Sequence, residues 1–169
     1  LIHPPSVLTN YLNQLTLSEE YKSTPILAGL TDSAQLNSYH IQSFFLYANK
    51  ALVDSPHWFR FWSNLAVDSS KEKLILNGEI GLSQYFLSCG IALKVLFPLA
   101  KDLLYHYPMS EELLSYGIHQ PHDVNQTLFA WRSLLERGYP FVKKHVLFQL
   151  FENGGHRLTI ADLASFIPA

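Results

Sequence analysis

The chain has 169 residues, 48% of them hydrophobic and 15% charged, enough apolar material for a buried core and too much for a generally disordered polymer. Twelve basic against fourteen acidic residues give a net charge of −2, which supplies no basic footprint for nucleic acid, and no apolar run approaches the roughly 20 residues that span a bilayer. A lone Cys89 excludes an internal disulfide and, with no Cys/His cluster around it, a structural zinc site, so a reducing compartment fits best.

The chain starts at Leu1 without Met or a signal-like pattern, so it reads as a processed product or an excised fragment. No repeat, Gly/Ser linker or low-complexity run divides residues 1–169, and one domain is the simplest division. Residues 1–24 carry Val7, Leu8, Tyr11, Leu12 and Leu15 at weakly helical spacing, an entry helix. Residues 25–30 (PILAGL) read as a buried strand closed by a Thr31-Asp32-Ser33 turn, and residues 41–47 (IQSFFLY) as a second strand. Ser55 and Pro56 form an N-cap and first-turn proline for a helix of residues 56–66 carrying Trp58, Phe61, Trp62 and Leu65. These rings, like Trp131 later, read as core in preference to a sugar platform.

A second helix is expected from Ser70 to Leu87, with Leu74, Ile75, Leu82, Tyr85 and Phe86 on one stripe and Gly90 beyond its end. Residues 91–97 (IALKVLF) form a third strand, followed by a helical piece through Leu103 and Leu104. Further helices are expected after Ser110, from Asp123 through Val124, Leu128, Trp131 and Leu135 to Gly138, from Pro140 to about Phe151, and over 160–167 behind the capping-box-like Thr159-Ile160-Ala161-Asp162. The sum is a helix-rich α/β fold with few short strands. The strands at 26–30 and 41–47 should lie side by side, with the helix of residues 56–66 packed on them through Trp58, Phe61 and Trp62.

There is no Gly-rich phosphate loop, nucleophile elbow, His-Glu-x-x-His pair or Asp-x-Asp. The eight histidines are dispersed, and most read as structural or solvated. Two places depart from that background. In Tyr39-His40-Ile41-Gln42-Ser43-Phe44, alternation puts His40, Gln42 and Phe44 on one face of a buried strand, and polar groups there need partners. They either tie down the neighbouring turn or line a polar cleft on which His40, Gln42 and Asp32 converge. The second is Glu79, at the border of an apolar helix stripe, where partial desolvation would raise its pKa toward a useful general base if a cleft reaches it. A rim glutamate paired with Lys or Arg is the alternative. Taken alone, the position favours the rim glutamate; the flanking Gly78 and Gly81 shift the balance somewhat toward the base, since mid-helix glycines cost roughly 1 kcal/mol each and are easier to understand where something packs closely against the backbone.

The stretches HIQSFFLYANKALVDSPHWFRFWSNL (40–65), GEIGLSQYFLSCG (78–90) and NQTLFAWRSLLERGYPFVKKHVL (125–147), with GLTDS (29–33) ahead of them, resemble in order the rhamnan synthesis protein F family of bacterial polysaccharide glycosyltransferases. The resemblance covers about Leu27 to Leu147. It implies the C-terminal, acceptor-side half of a Rossmann-like A-type glycosyltransferase module, as a fragment or short member of a larger one. It further implies a nucleotide sugar as donor, a saccharide or lipid-linked acceptor, no nucleic acid, and action in the cytoplasm or at the inner face of the cytoplasmic membrane. In inverting A-type enzymes an acidic residue at the start of a helix ending in a Gly some eleven residues on often deprotonates the acceptor hydroxyl, and by this resemblance Glu79 with Gly90 matches that layout. By the same resemblance Asp32, His40, Gln42 and Ser43 line the sugar or acceptor pocket, and Lys143 or Lys144 offsets diphosphate charge. A divalent metal is compatible with such chemistry, although this chain carries no Asp-x-Asp and no preceding nucleotide-binding half. The competing class is a noncatalytic carbohydrate-binding or scaffold domain.

Overall fold

The computed structural model describes residues 6–66, 70–99, 125–143 and 146. They form a mixed helix and strand fold with a small four-stranded mixed sheet. The chain divides into two compact units, residues 13–124 and residues 1–12 with 125–169.

In the larger unit, strand β1 (Ile26–Ser33) is buried along its whole length, as expected of a central strand covered on both faces. Strands β2 (His40–Ile41) and β3 (Leu46–Ala48) pair antiparallel with it, and β4 (Ala92–Phe97) pairs parallel, from Ile26 opposite Ala92 to Thr31 opposite Phe97. The connection to β4 runs through α3 (Lys50–Val53), α4 (Pro56–Asn64), α5 (Lys71–Leu74), a π-helical segment (Ile75–Ile80) and α6 (Gly81–Ser88), so the parallel pair is joined by a helical crossover.

The side-by-side placement of the two expected strands is observed, with two changes. Thr31, Asp32 and Ser33 do not turn but extend β1, because Asp32 and Ser33 find partners in Ile41 and His40, and the turn falls later, where Leu36 and Asn37 take φ of 58° and 54°. The expected strand 41–47 is broken. Between Asp32 opposite Ile41 and Gly29 opposite Leu46 the second lane holds two more residues than β1, and the excess lifts Ser43 to Phe45 out of the ladder as a bulge. Phe44 is exposed as a result.

Gly29 lies where the second lane crowds β1. A Cβ there would sit 2.1 Å from Ile41 Cγ2 and 3.2 Å from the Phe45 carbonyl oxygen. Gly29→Ala is therefore expected to cost about 3 kcal/mol through overpacking, read as a lower urea midpoint at unchanged slope; a loss below about 0.5 kcal/mol would show that the bulge relaxes freely.

Ser55 caps α4 as expected, its Oγ accepting from Trp58 N at 3.3 Å, with Pro56 opening the first turn. Phe61 is buried with Leu27, Ile41, Leu52, Leu82, Phe86 and Ile91, and Trp58 packs against this cluster, its ring parallel to Phe86 at 6.0 Å. Trp62 departs from the core reading. It meets Trp58 and Phe61 edge to face but leaves 44% of itself exposed.

The expected helix from Ser70 is present through Ser88, with the π-helical segment inside it. Gly90 ends it at φ +75°, where Ile91 N returns to the Phe86 carbonyl at 2.9 Å. No helix among the described residues is long and apolar enough to cross a membrane.

In the smaller unit, the expected helix from Asp123 is two short helices, α7 (Gln126–Phe129) and α8 (Trp131–Glu136), parted at Ala130. Asn125 caps the first of them by accepting from Thr127 N. Trp131, Leu134 and Leu135 are buried, so Trp131 is core. The helix expected to open at Pro140 does not begin there: residues 140–143 carry no regular structure, and the buried Tyr139 meets Phe141 edge to face at 5.9 Å. The helices expected through Leu103 and Leu104, after Ser110 and over 160–167 lie outside the described residues.

Candidate functional site

The helix of residues 71–88 and the segment 39–43 are held together by side chains. Ser83 Oγ accepts from Ile41 N at 3.0 Å, Gln84 Nε2 donates to the Tyr39 carbonyl, and Glu79 Oε2 accepts from Ser43 N at 3.1 Å and from the Ser43 hydroxyl. Glu79 and Ser83 are four apart and so share a helix face, Glu79 reaching the Ser43 amide in the bulge and Ser83 the Ile41 amide on β2. Each such bond satisfies a group that would otherwise be unpaired.

Glu79 lies within the π-helical segment, an irregularity frequent at functional sites. A Cβ on Gly81 would lie 3.0 Å from the Leu76 carbonyl oxygen, whereas nothing lies within 4 Å of one on Gly78. The close approach anticipated at both glycines therefore holds only at Gly81, and there it is the helix's own carbonyl. Gly78 instead borders an open cleft of about 370 Å³, lined also by Ser43, Trp62, Lys71, Leu74 and Glu79.

His40 is buried behind Glu79. Its Nδ1 lies 2.7 Å from the Ser38 carbonyl oxygen, which can only accept, so Nδ1 carries a hydrogen. Its Nε2 lies 3.4 Å from Glu79 Oε1. With both ring nitrogens facing oxygens, the imidazolium is favoured. Burial opposes the charged ring, but the Glu79 and Ser38 bonds and the Glu79 and Asp32 charges outweigh it, and the His40 pKa is raised. Burial likewise opposes the Glu79 carboxylate, but the bonds from His40 and Ser43 prevail and hold its pKa below the ordinary value. The raised Glu79 pKa expected from its helix position is thus corrected: desolvation acts, but three donors aimed at one carboxylate exceed it.

The linkage has a definite sign. The stabilisation from His40 is complete below its ordinary 6.5 and is lost as pH rises through the raised folded value. That from Glu79 is complete above its ordinary 4.5 and is lost as pH falls through the lowered folded value. The pair is at full strength between these two ordinary values. Urea midpoints of wild type minus His40→Gln, taken from pH 4 to 8, should be largest near pH 5 to 6 and shrink on both sides; a difference flat with pH would show that the pair does not titrate with folding.

The chain is similar to a virulence protein. It is 33% identical over 131 residues to virulence protein VirA of Vibrio anguillarum (strain ATCC 68554 / 775), and a second Vibrio anguillarum VirA matches equally. The match covers 70% of this chain and 43% of each relative, so the chain spans less than half the length of the curated relatives it matches. No family model and no solved structure matches it.

Of the residues singled out in the sequence, Glu79, Ser43 and His40 come together directly. Asp32 and Gln42 have other partners. Asp32 bonds the Leu99 amide and the Tyr39 hydroxyl, whose pKa burial and the Asp32 charge push up to about 12, and its charge acts on His40. Gln42 is occupied with Thr31, side chain to side chain at 2.8 Å, on β1. Both are buried and do not line the Glu79 cleft. Lys143 belongs to the smaller unit, and Lys144 lies outside the described residues. Among the described residues no group of three or more His, Cys, Asp or Glu is placed to hold a metal ion.

Sequence reasoning missed Ser83, Gln84 and Ser38. Ser83 carried a signal, a small polar residue four positions after Glu79 on an otherwise apolar face, whereas the Gln84 and Ser38 contacts run to backbone and have no residue-type signature. The order of contacts, Ser43 to Glu79 to His40, also rules on chemistry. The serine hydroxyl gives its hydrogen to the carboxylate and not to the imidazole, so these residues do not form a Ser-His-acid nucleophile.

Proposed function

We propose that this chain is the catalytic, acceptor-side portion of a glycosyltransferase of the rhamnan synthesis protein F kind, moving a sugar from a nucleotide donor to a saccharide or lipid-linked acceptor in bacterial cell-surface polysaccharide assembly, on the cytoplasmic side of the membrane. The observation that carries this reading is Glu79: an ionised carboxylate, oriented by His40 and Ser43, that opens on a cleft bearing a half-exposed Trp62 and Lys71. Such a carboxylate accepts the proton of an acceptor hydroxyl as its oxygen bonds to the anomeric carbon, while the bond from that carbon to the diphosphate breaks and the nucleotide diphosphate leaves with the electron pair. The Trp62 face suits the apolar face of a sugar ring. A parallel β1 and β4 joined by a helical crossover is compatible with a Rossmann-like A-type module, and the virulence name of the relatives is compatible with a cell-envelope product.

The second reading, a noncatalytic carbohydrate-binding domain, draws on the same Trp62 cleft without the proton transfer. The intact protein, incubated with a panel of sugar nucleotides and envelope saccharides, should yield an elongated saccharide by mass spectrometry. Saccharide binding in the cleft with no transfer from any donor would favour the binding domain instead.

A further inference from the structure

Glu79 has two oxygens with unequal duties. Among the described residues, Oε2 accepts twice from Ser43, whereas Oε1 faces only His40 Nε2, and a carboxylate oxygen has two acceptor positions. The open position therefore lies on Oε1, beside the imidazole. Resting on the glycosyl-transfer reading, we propose that His40 is the positioning residue of Glu79: fixed through Nδ1 to the Ser38 carbonyl, it holds Oε1 by Nε2–H and leaves that oxygen's second lone pair for the acceptor hydroxyl.

The groups facing His40 are the Glu79 carboxylate on the helix, Asp32 on β1 and the Ser38 carbonyl on its own loop; Ser83 and Gln84 on α6 bond the backbone on either side of it. Both charged groups are acidic. Loss of the His40 proton leaves Nδ1–H with Ser38 and turns an Nε2 lone pair toward Oε1, so attraction becomes repulsion at the oxygen that takes the proton. Turnover then falls as pH rises through the His40 titration, even though Glu79 stays ionised. A base held by Ser43 alone would give a rate that rises with pH and stays level.

Two measurements test this. The His40 imidazole, followed by NMR in this chain, should titrate lower by about one unit or more in Glu79→Gln, the loss expected when an opposite charge within hydrogen-bond reach is removed; an unchanged titration overturns the proposal whether or not transfer activity is found. In the intact protein, kcat should fall on the alkaline side with the His40 midpoint, and His40→Gln, whose amide can still donate to Oε1, should abolish that limb with little change in acceptor KM. An alkaline limb that persists in His40→Gln overturns the positioning role but leaves the Glu79 assignment standing, which is judged by the turnover of Glu79→Gln.

Discussion

Glu79→Gln in the intact protein is expected to lower kcat by about 10² to 10⁴, the usual contribution of a positioned base. Each decade corresponds to about 1.4 kcal/mol of barrier, so the loss is roughly 3 to 5 kcal/mol in the transition state. The ground state loses less. The amide oxygen can still accept from Ser43, and what disappears from the folded state is the charge paired with His40, which makes a stability change of about 1 to 2 kcal/mol. That cost should shrink above the His40 titration, where the partner is neutral in wild type as well. Initial rates and thermal melts on this one variant separate a base from a structural carboxylate. A kcat within threefold of wild type, at any melting temperature, would remove Glu79 from the chemistry.

The largest expected loss of stability lies elsewhere. Asn49 is buried, and its side chain fills four backbone vacancies: Oδ1 accepts from Ile26 N at 3.1 Å and from Leu52 N at 3.0 Å, while Nδ2 donates to the Tyr21 and Thr24 carbonyl oxygens. It thereby caps α3, closes the approach to β1 and fastens the segment that leads from α2 (Glu19–Ser23). Ala at this position removes a cap worth about 1 kcal/mol and strands several polar groups at about 1 to 3 kcal/mol each, partly recovered by water. A net loss of about 3 to 4 kcal/mol is expected, near 10 °C in melting temperature for a protein of this size. Asp, which keeps the acceptor and loses the two donors, should fall between. A loss below 1 kcal/mol for Asn49→Ala would mean that the loop around it refolds at little cost.

The parts legible in the sequence were those governed by short-range pattern. Ser55-Pro56 opened α4, and Gly90 ended the helix because a positive φ suits glycine. PILAGL was apolar enough to be a central strand. Glu79 and the His40 to Ser43 stretch stood out because they placed polar groups where burial was expected, and the structure brings three of them into contact. What could not be read was governed by long-range pairing. The strand 41–47 broke because of a register difference with β1, which no local pattern records. Thr31-Asp32-Ser33 looked like a turn until partners across the sheet made it strand. The direction of the Glu79 pKa shift depended on which donors surround it, and those come from a segment 36 residues away in the chain. Asn49 carries no signal in the sequence, since its weight lies in backbone atoms brought to it by the fold.

The clamp between the helix and residues 39–43 has a kinetic meaning. Its bonds join residues 36 to 45 positions apart, and Glu79, Ser83 and Gln84 all stand at the far end of that separation. Loop-closure entropy must be met before any of these bonds forms. A chain still emerging from the ribosome can therefore build α4 and pair β1 with β3 while the Glu79 cleft does not yet exist. The cleft exists only once the helix is docked, so any event that undocks the helix dismantles the candidate base and its positioning histidine together, and with them the core that Leu82 and Phe86 form with Leu27 and Ile41.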